Sequence, residues 1–337
     1  MSSIDQKLLE ILHENKNKYV SGEDISNMLG VSRTAIWKHI KKYRDLGYEI
    51  ESVTNRGYTI IKVPDRIIAE EIMIGLENKE IGNEIIVFDS IDSTNNKAKE
   101  LARDKCKSGT VIVAEEQVAG RGRLGRKWHS PVGSGLWFSI VVRPDILPIK
   151  SPFLTISASL AVLDAVRCIV NEVCGKINNK NIKNKIKIKW PNDILFEEKK
   201  IAGILSEMSA DMEQIKYGII GIGINVNQDF FSEDIKDTAT SLKKICYKKI
   251  DRIKLLKYVL NYFEGYYEKL IKGKENELLE KWKSNLNVIG EEVIIYSNKK
   301  TFYGKVIDIS TQGELILQDK KNILHKFWAG DVSLRKT

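Results

Sequence analysis

Gly109–Arg143 read GTVIVAEEQVAGRGRLGRKWHSPVGSGLWFSIVVR. The flanking runs GTVIVAEEQ and LWFSIVVR are apolar and β-branched, as buried strands are, and they bracket a long loop rich in glycine and basic side chains. Gly120, Gly122 and Gly125 satisfy the GxGxxG spacing, and Gly120 and Gly125 have the outer spacing of a Walker A loop. Both identities fail on context. A dinucleotide fingerprint needs a helix to begin at the loop, whereas Pro131, Gly133 and Gly135 lead into another strand; a Walker loop needs Gly-Lys-Ser/Thr, whereas Gly125 is followed by Arg126-Lys127-Trp128. The segment therefore reads as strand, anion-binding loop, strand. Its glycines let backbone amides approach a carboxylate or nucleotide phosphate, and Arg121, Arg123, Arg126 and Lys127 supply the charge.

Three neighbouring stretches place polar groups at strand ends. EIIVFDSIDSTNNKAKELARD (84–104) is a strand followed by an amphipathic helix, with Asp92-Ser93-Thr94-Asn95 at the turn between them. IKIKWPNDILF (186–196) is a strand stopped by Pro191, which gathers Lys189, Asn192 and Asp193 at its end, and KKIAGILSEMS (199–209) starts another with Lys200 at its mouth. Two lysines and an aspartate beside a basic loop point to phosphate with a metal. YGIIGIGINVN (217–227) is a strand with glycine enough for something to pack closely against it, and it ends in Asn225 and Asn227.

Towards the N-terminus, IDQKLLEILHE (4–14) carries Ile4, Leu8, Ile11 and Leu12 at helical spacing. In SGEDISNMLGVSRTAIWKHIKKYRDLGYEI (21–50), Ser21 and Ser32 are placed to cap two short helices separated by a turn at Gly30. The second holds Arg33, Lys38, Lys41, Lys42 and Arg44 with no acidic residue between Ser32 and Arg44, the footprint of a helix lying beside phosphates in a major groove. EIESVTNRGYTII (49–61) reads as a hairpin with Arg56 at its tip. Residues 1–63 are thus expected to form a winged helix-turn-helix, with DNA contacts from Ser21, Ser32, Arg33, Thr34, Trp37, Lys38, Lys41 and Arg56. Val63-Pro64-Asp65 marks the boundary.

Towards the C-terminus, DRIKLLKYVLNYFEGYYEKLI (251–271) has the apolar stripe of an amphipathic helix closing the central domain. After Trp282, short β-like runs separated by Lys, Gly and Asn turns suggest an SH3-like barrel. The expected fold is α+β: the winged helix, a central mixed α/β domain over 67–284 built on a β-sheet, and the barrel over 285–337.

Bulk properties narrow the class. The 337 residues are 42% hydrophobic, enough for several cores, and the net charge of +9 fits either a nucleic-acid partner or a lysine-rich surface. The charged opening, MSSIDQKLLEILHENK, is unlike a signal or transit peptide, and no run of about 18 uncharged apolar residues is evident, so a cytoplasmic protein with no membrane association is expected. Four cysteines without a CxxC pair and four scattered histidines argue against a zinc site or disulfide framework, and no metal-ligand set is assigned. The Lys/Asn-rich stretch Gly175–Lys189 reads as a solvated loop and strand entry.

DSTN at Asp92–Asn95, Gln117, GRGRLGRKW at Gly120–Trp128, KWPND at Lys189–Asp193, KIAGIL at Lys200–Leu205 and GIGIN at Gly221–Asn225 resemble, in order and spacing, the motifs of biotin–protein ligases. With the winged helix, the whole chain resembles the bifunctional type that is also the repressor of the biotin operon (the BirA family). That resemblance implies formation of biotinyl-AMP from biotin and ATP with Mg²⁺, then transfer to a lysine of the biotin carboxyl carrier protein. It implies biotin contacts from Ser93, Thr94, Asn95, Gln117, Arg121, Gly122, Arg123, Trp128 and Lys200, and ATP contacts from Arg121, Arg126, Lys189, Asn192 and Asn225. FWAGDVSLR resembles the family's C-terminal segment and adds Trp328 to the ATP set. Lys189, Arg123 and Asp193 are the implied catalytic residues. Operator DNA and a ligand-induced homodimer are the further implied partners, with biotinyl-AMP as corepressor. The rivals are a ligase with a non-regulatory N-terminal domain, a non-enzymatic biotin-sensing repressor, and a lipoate–protein ligase.

Overall fold

The computed structural model describes residues 4–175, 182–297, 299–328 and 330–334; positions 176–181 of the Lys/Asn-rich stretch lie outside them. The chain divides into two compact units, Met1–Leu76 and Glu77–Thr337.

The first unit contains helices α1 (Ile4–Glu14), α2 (Gly22–Leu29) and α3 (Arg33–Asp45), strands β1 (Glu49–Val53) and β2 (Gly57–Lys62), and the short helix α4 (Ala69–Met73). Ser21 Oγ accepts from the Asp24 amide at 3.0 Å, Ser32 Oγ accepts from the Ala35 amide at 3.2 Å, and Gly30 ends α2 in the left-handed region. Each cap satisfies a donor that the first helical turn leaves unpaired. Leu8, Leu9, Leu12, Ile25, Ile36, Ile40 and Tyr43 form the core, and Ile4, expected on the buried face of α1, is exposed. β1 and β2 pair antiparallel through Asn55-Arg56-Gly57. Only glycine fits at 57, where φ is +108° and a Cβ would lie 1.9 Å from the Val20 carbonyl oxygen.

This unit continues past Val63-Pro64-Asp65. Ile68 and Ile74 pack on its core, and Glu71 of α4 accepts a hydrogen bond from Tyr48 Oη at 2.7 Å and meets His13 Nε2 at 2.7 Å. Residues 67–76, expected to open the central domain, belong instead with the winged helix.

The second unit is built on β3 (Glu84–Ile91), α5 (Thr94–Arg103), β4 (Thr110–Gln117), β5 (Leu136–Val142), α6 (Pro152–Cys174), β6 (Ile186–Lys189), β7 (Asp193–Phe196), β8 (Lys199–Ala210), β9 (Ile215–Ile224), α7 (Leu242–Cys246), α8 (Arg252–Ile271) and α9 (Glu275–Lys283). Its seven-stranded sheet has the order β3-β4-β5-β9-β8-β7-β6; β3 and β4 are parallel, joined by α5, and the remaining pairs are antiparallel. Alternation along β9 separates the faces: Ile219 packs with Ala98 and Ala102 of α5, whereas a Cβ at Gly218 would meet Leu154 of α6. The Arg252 guanidinium, 1% exposed, pairs with Glu115 of β4 at 2.8 Å and donates to the Gly135 carbonyl at 3.2 Å. It thereby fixes both strands that flank the basic loop.

α6 was not apparent as an element from its sequence. It is long and apolar enough to cross a membrane, but 78% of its most apolar window is buried within the protein. α8, α9 and the sheet cover it; of its two acids, Asp164 is held by Tyr266 and by Lys281 at 2.8 Å, and Glu172 pairs with Lys254 of α8 at 2.5 Å. Cys174 at its end is disulfide-bonded to Cys246 of α7, with Cα atoms 5.6 Å apart. This single bridge joins residues 72 apart, which only the tertiary fold brings together, and Cys106 and Cys168 are free.

Strands β10 (Glu292–Ser297), β11 (Lys300–Ile309), β12 (Leu315–Asp319), β13 (Leu324–Phe327) and β14 (Asp331–Leu334) form an antiparallel sheet in the order β13-β12-β11-β10-β14, the C-terminal barrel. Trp190 Nε1 donates to the Gly313 carbonyl at 3.3 Å, linking the KWPND turn to the β11–β12 loop.

Candidate active site

The basic loop between β4 and β5 is a stitched hairpin. Trp128 N–H donates to Gly120 O at 2.9 Å, Gly122 N–H to Arg126 O at 2.7 Å and Gln117 N–H to Ser130 O at 3.2 Å. A tight turn at Arg123–Gly125 closes the tip, with Leu124 at φ 55° and Gly125 at φ 73°. The loop borders a cavity of about 410 Å³.

On the α5 side, buried Ser93, Thr94 and Asn95 line this cavity. Their hydrogen bonds are closely specified. Gln117 Oε1 accepts from the Thr94 amide at 2.8 Å and Gln117 Nε2 donates to Ser130 Oγ at 2.9 Å. Asn95 Nδ2 donates to Glu207 Oε2 at 2.7 Å, Asn95 Oδ1 is within 2.6 Å of Ser139 Oγ, and Lys99 Nζ lies 2.5 Å from Glu207 Oε1. Burial raises the Glu207 carboxyl, but hydrogen bonds from Lys99 and Asn95, with the charges of Lys99 and Arg121, outweigh it and hold the group below the usual glutamate range. The β9 glycines make room: a Cβ at 221 would lie 2.0 Å from Asn95 Oδ1, and one at 223 would lie 2.5 Å from the Trp128 indole.

Trp128 presents a buried Nε1 without a hydrogen-bond partner, and Lys200 Nζ lies 4.9 Å from its ring centroid. Lys200 is also paired with Asp193 at 2.8 Å, so that aspartate orients a lysine of the cavity wall. Arg123 Nη1 donates to Asn192 Oδ1 at 2.9 Å, and Asn192 Nδ2 to the Ile204 carbonyl at 2.6 Å. The Arg121 guanidinium donates to Asn96. With Arg126, Lys127 and Lys189, the lining carries six cationic side chains against the carboxylates of Asp193 and Glu198, an excess suited to anionic reactants. Gly122 and Asn225 complete the expected set in this cavity.

Trp328 is the exception. It is 46% exposed and lines a neighbouring cleft of about 320 Å³ with Trp282, Pro191 and Met208; that cleft shares Arg123 and Asn192 with the main cavity. The barrel segment carrying Trp328 lines this cleft with β8 and the start of α6, and the basic loop enters it through Arg123. Conversely, the wall formed by Gln228, Phe231, Ile235, Thr238 and Ala239 was missed. It has no motif; its only signal is apolar Phe231 and Ile235 within a polar run.

In the first unit, Arg33, Thr34, Trp37, Lys38 and Lys41 are exposed on α3, with Lys41 Nζ 5.6 Å from the Trp37 ring centroid, and Arg56 lies over Tyr19 at the hairpin. Ser21 and Ser32 use their hydroxyls as caps. Lys42 instead pairs with Asp5 at 2.6 Å and Arg44 donates to the Ile50 carbonyl at 2.7 Å, so these two cations of the basic run serve the fold.

A mixed sheet with a stitched basic loop over a cationic cavity, preceded by a winged helix and followed by a small barrel, defines an acid-activating ligase joined to a DNA-reading unit. The chain belongs to the biotin–protein ligase family, in its bifunctional ligase/repressor branch. Family models for the biotin/lipoate A/B protein ligase family, an HTH domain and the biotin protein ligase C-terminal domain match residues 87–225, 5–59 and 288–335. The bifunctional ligase/repressor BirA of Bacillus subtilis is 39% identical over 99% of both chains, and that of Escherichia coli is 29% identical over 99% of this chain and 98% of its own. Among solved structures, a biotin protein ligase from Aquifex aeolicus in complex with biotin and ATP is 33% identical, covering 76% of this chain and all of its own, with a TM-score of 0.61.

Proposed function

We propose that this cavity condenses biotin with ATP to give biotinyl-AMP and pyrophosphate and passes the biotinyl group to a lysine of a carboxyl carrier protein, while the first unit represses operator DNA with biotinyl-AMP as corepressor. The observation that carries the reading is the convergence, in one cavity, of the polar Thr94–Asn95–Gln117 network and the cations of the basic loop and Lys189. The network provides fixed donors and acceptors for a cyclic urea, and the Trp128 indole over Gly223 provides an apolar wall for the acid's chain.

Adenylation brings a carboxylate to a phosphate, so much of its barrier is charge repulsion. Lys189 stabilises charge developing on the α-phosphate, Arg121, Arg123 and Arg126 hold the two anions in register, and no enzyme nucleophile is required. Asn192 and Asn225 help hold the nucleotide. Asp193 acts by fixing Lys200 against the biotin end. Among the described residues no cluster of three His, Cys, Asp or Glu side chains forms a metal cage. Mg²⁺ is accordingly read as part of the nucleotide substrate, screening its phosphates. Trp328, from the adjoining cleft, serves the adenylate only at its edge. The protein is expected in the cytoplasm, where its nucleotide and carrier substrates reside.

Lys189→Ala is expected to lower biotin-dependent ATP–pyrophosphate exchange by about a hundredfold, the scale for removing one preorganised charge partner. Full exchange activity in that variant would refute the assignment.

A further inference from the structure

Cys174 ends α6 and Cys246 ends α7; both are buried, and their bridge spans a Cα separation of 5.6 Å, inside the usual range for a disulfide. A bridge is unexpected in the cytoplasm, where the chain is proposed to work. Thiols there are kept reduced, and the disulfides that do form are for the most part transient and redox-sensing.

The bridge bears on one wall of the main cavity. The Leu242 and Lys243 amides at the start of α7 donate to the carbonyls of Asn225 and Val226 at 3.1 and 2.8 Å, and Ser241 Oγ donates to the Gln228 carbonyl at 2.7 Å. Beyond α7, the Asn227 side chain exchanges two hydrogen bonds with the Ile250 backbone, both at 2.9 Å. Ahead of it, the Thr240 amide donates to the Lys200 carbonyl at 3.0 Å and the Lys200 amide to the Thr238 carbonyl at 2.7 Å. Lys200, Asn225, Thr238 and Ala239 all line the cavity. α7 and these wall residues are therefore one hydrogen-bonded body, and Cys246 is its covalent tie to α6.

We infer that Cys174 and Cys246 form a reversible thiol–disulfide exchange site, oxidised by low-molecular-weight disulfides and reduced by dithiols, that sets how firmly this wall is held. In the oxidising direction the thiolate of one cysteine attacks the small disulfide and releases one thiol; the second cysteine then attacks the mixed disulfide and releases the other. Two protein thiols become one S–S bond, and the two electrons and two protons they give up leave in the two small thiols. A dithiol reverses both steps. Reduction frees α7 from α6, so the wall that carries Asn225 loosens and the nucleotide is held less tightly. This rests on the adenylating role proposed above and adds its regulation by thiol status.

The test equilibrates the full chain in glutathione buffers of stepped disulfide-to-thiol ratio, alkylates the remaining thiols and locates them by peptide mass spectrometry. Cys174 and Cys246 are expected to lose alkylation together as the ratio rises, while Cys106 and Cys168 stay alkylated. In biotin-dependent pyrophosphate exchange the bridged form should show an ATP KM about fivefold lower than the reduced form, the low end of coupling between linked sites, with kcat changed far less. Cys174→Ser/Cys246→Ser should keep the reduced-form KM at every ratio. Both cysteines alkylated across the whole series, or an equal ATP KM in the two forms, would overturn the inference while leaving adenylation intact. Should the double variant fail to fold, the wild-type series decides alone. No exchange by either form would overturn the ligase reading, and the alkylation pattern would still report whether the pair is redox-active.

Discussion

Glu207 shows how a residue that meets no ligand group directly can set affinity. It occupies one end of the Asn95 amide and Ser139 the other, so Asn95 Oδ1 is fixed towards the cavity side of Gly221. Glu207→Ala is expected to raise the biotin KM about tenfold, near the net value of one hydrogen bond to a charged group, with the ATP KM and kcat changed far less. Glu207→Gln, which keeps one acceptor, should recover much of the loss. The carboxyl titrates below its ordinary value, so its contribution is complete above that range and is lost only as pH falls through the lowered pKa. Biotin binding followed by intrinsic fluorescence should therefore be insensitive to Glu207 titration from neutrality down past pH 4.5, the ordinary value. Ser93, Thr94 and Asn95 are legible because they sit in a motif at a strand-to-helix turn, and Gln117 because it ends the strand that opens the basic loop. Glu207 and Ser139 are not legible, because their side-chain partners in the site, Asn95 and Lys99 for one and Thr94 and Asn95 for the other, lie far away in sequence.

At the scale of elements, legibility followed local chemistry. The α2 and α3 starts were readable because Ser21 and Ser32 cap them, and the Asn55-Arg56-Gly57 reversal because only a turn needs such residues. α6 offers no polar stripe, since it is buried on nearly every side, and periodicity cannot report a helix without a solvent face. The basic run of α3 divides by partner. Arg33→Ala, Lys38→Ala and Lys41→Ala should each weaken DNA binding across sequences and reduce the salt slope by about one. Lys42→Ala, which breaks the pairs with Asp5 and Glu70, should instead lower the melting temperature of the first unit and leave the slope unchanged. Fluorescence anisotropy titrations at several salt concentrations, beside thermal melts, separate the two groups; a slope change for Lys42→Ala equal to that for Lys38→Ala would erase the distinction.

For the whole molecule, the division at Leu76 rather than Val63 was not readable because Pro64 marks a local break, whereas membership of a core depends on where Ile68, Glu71 and Ile74 pack. A repressor acting through symmetric half-sites requires two chains, and biotinyl-AMP is the ligand expected to assemble them. Sedimentation velocity and gel shift with and without biotin plus ATP should show dimerisation and operator affinity rising together. Unchanged operator affinity alongside normal ligase turnover would identify a ligase whose N-terminal unit is not regulatory.

The covering of α6 has a consequence for how the chain is made. Its apolar faces are closed largely by α8 and α9, which end at residues 271 and 283. A ribosome adding about 5–20 residues per second leaves the emerged α6 without those partners for on the order of ten seconds. Over that interval a nascent-chain binder has a long, mostly apolar helix to hold, and truncation before α8 should turn a soluble product into one that depends on chaperones.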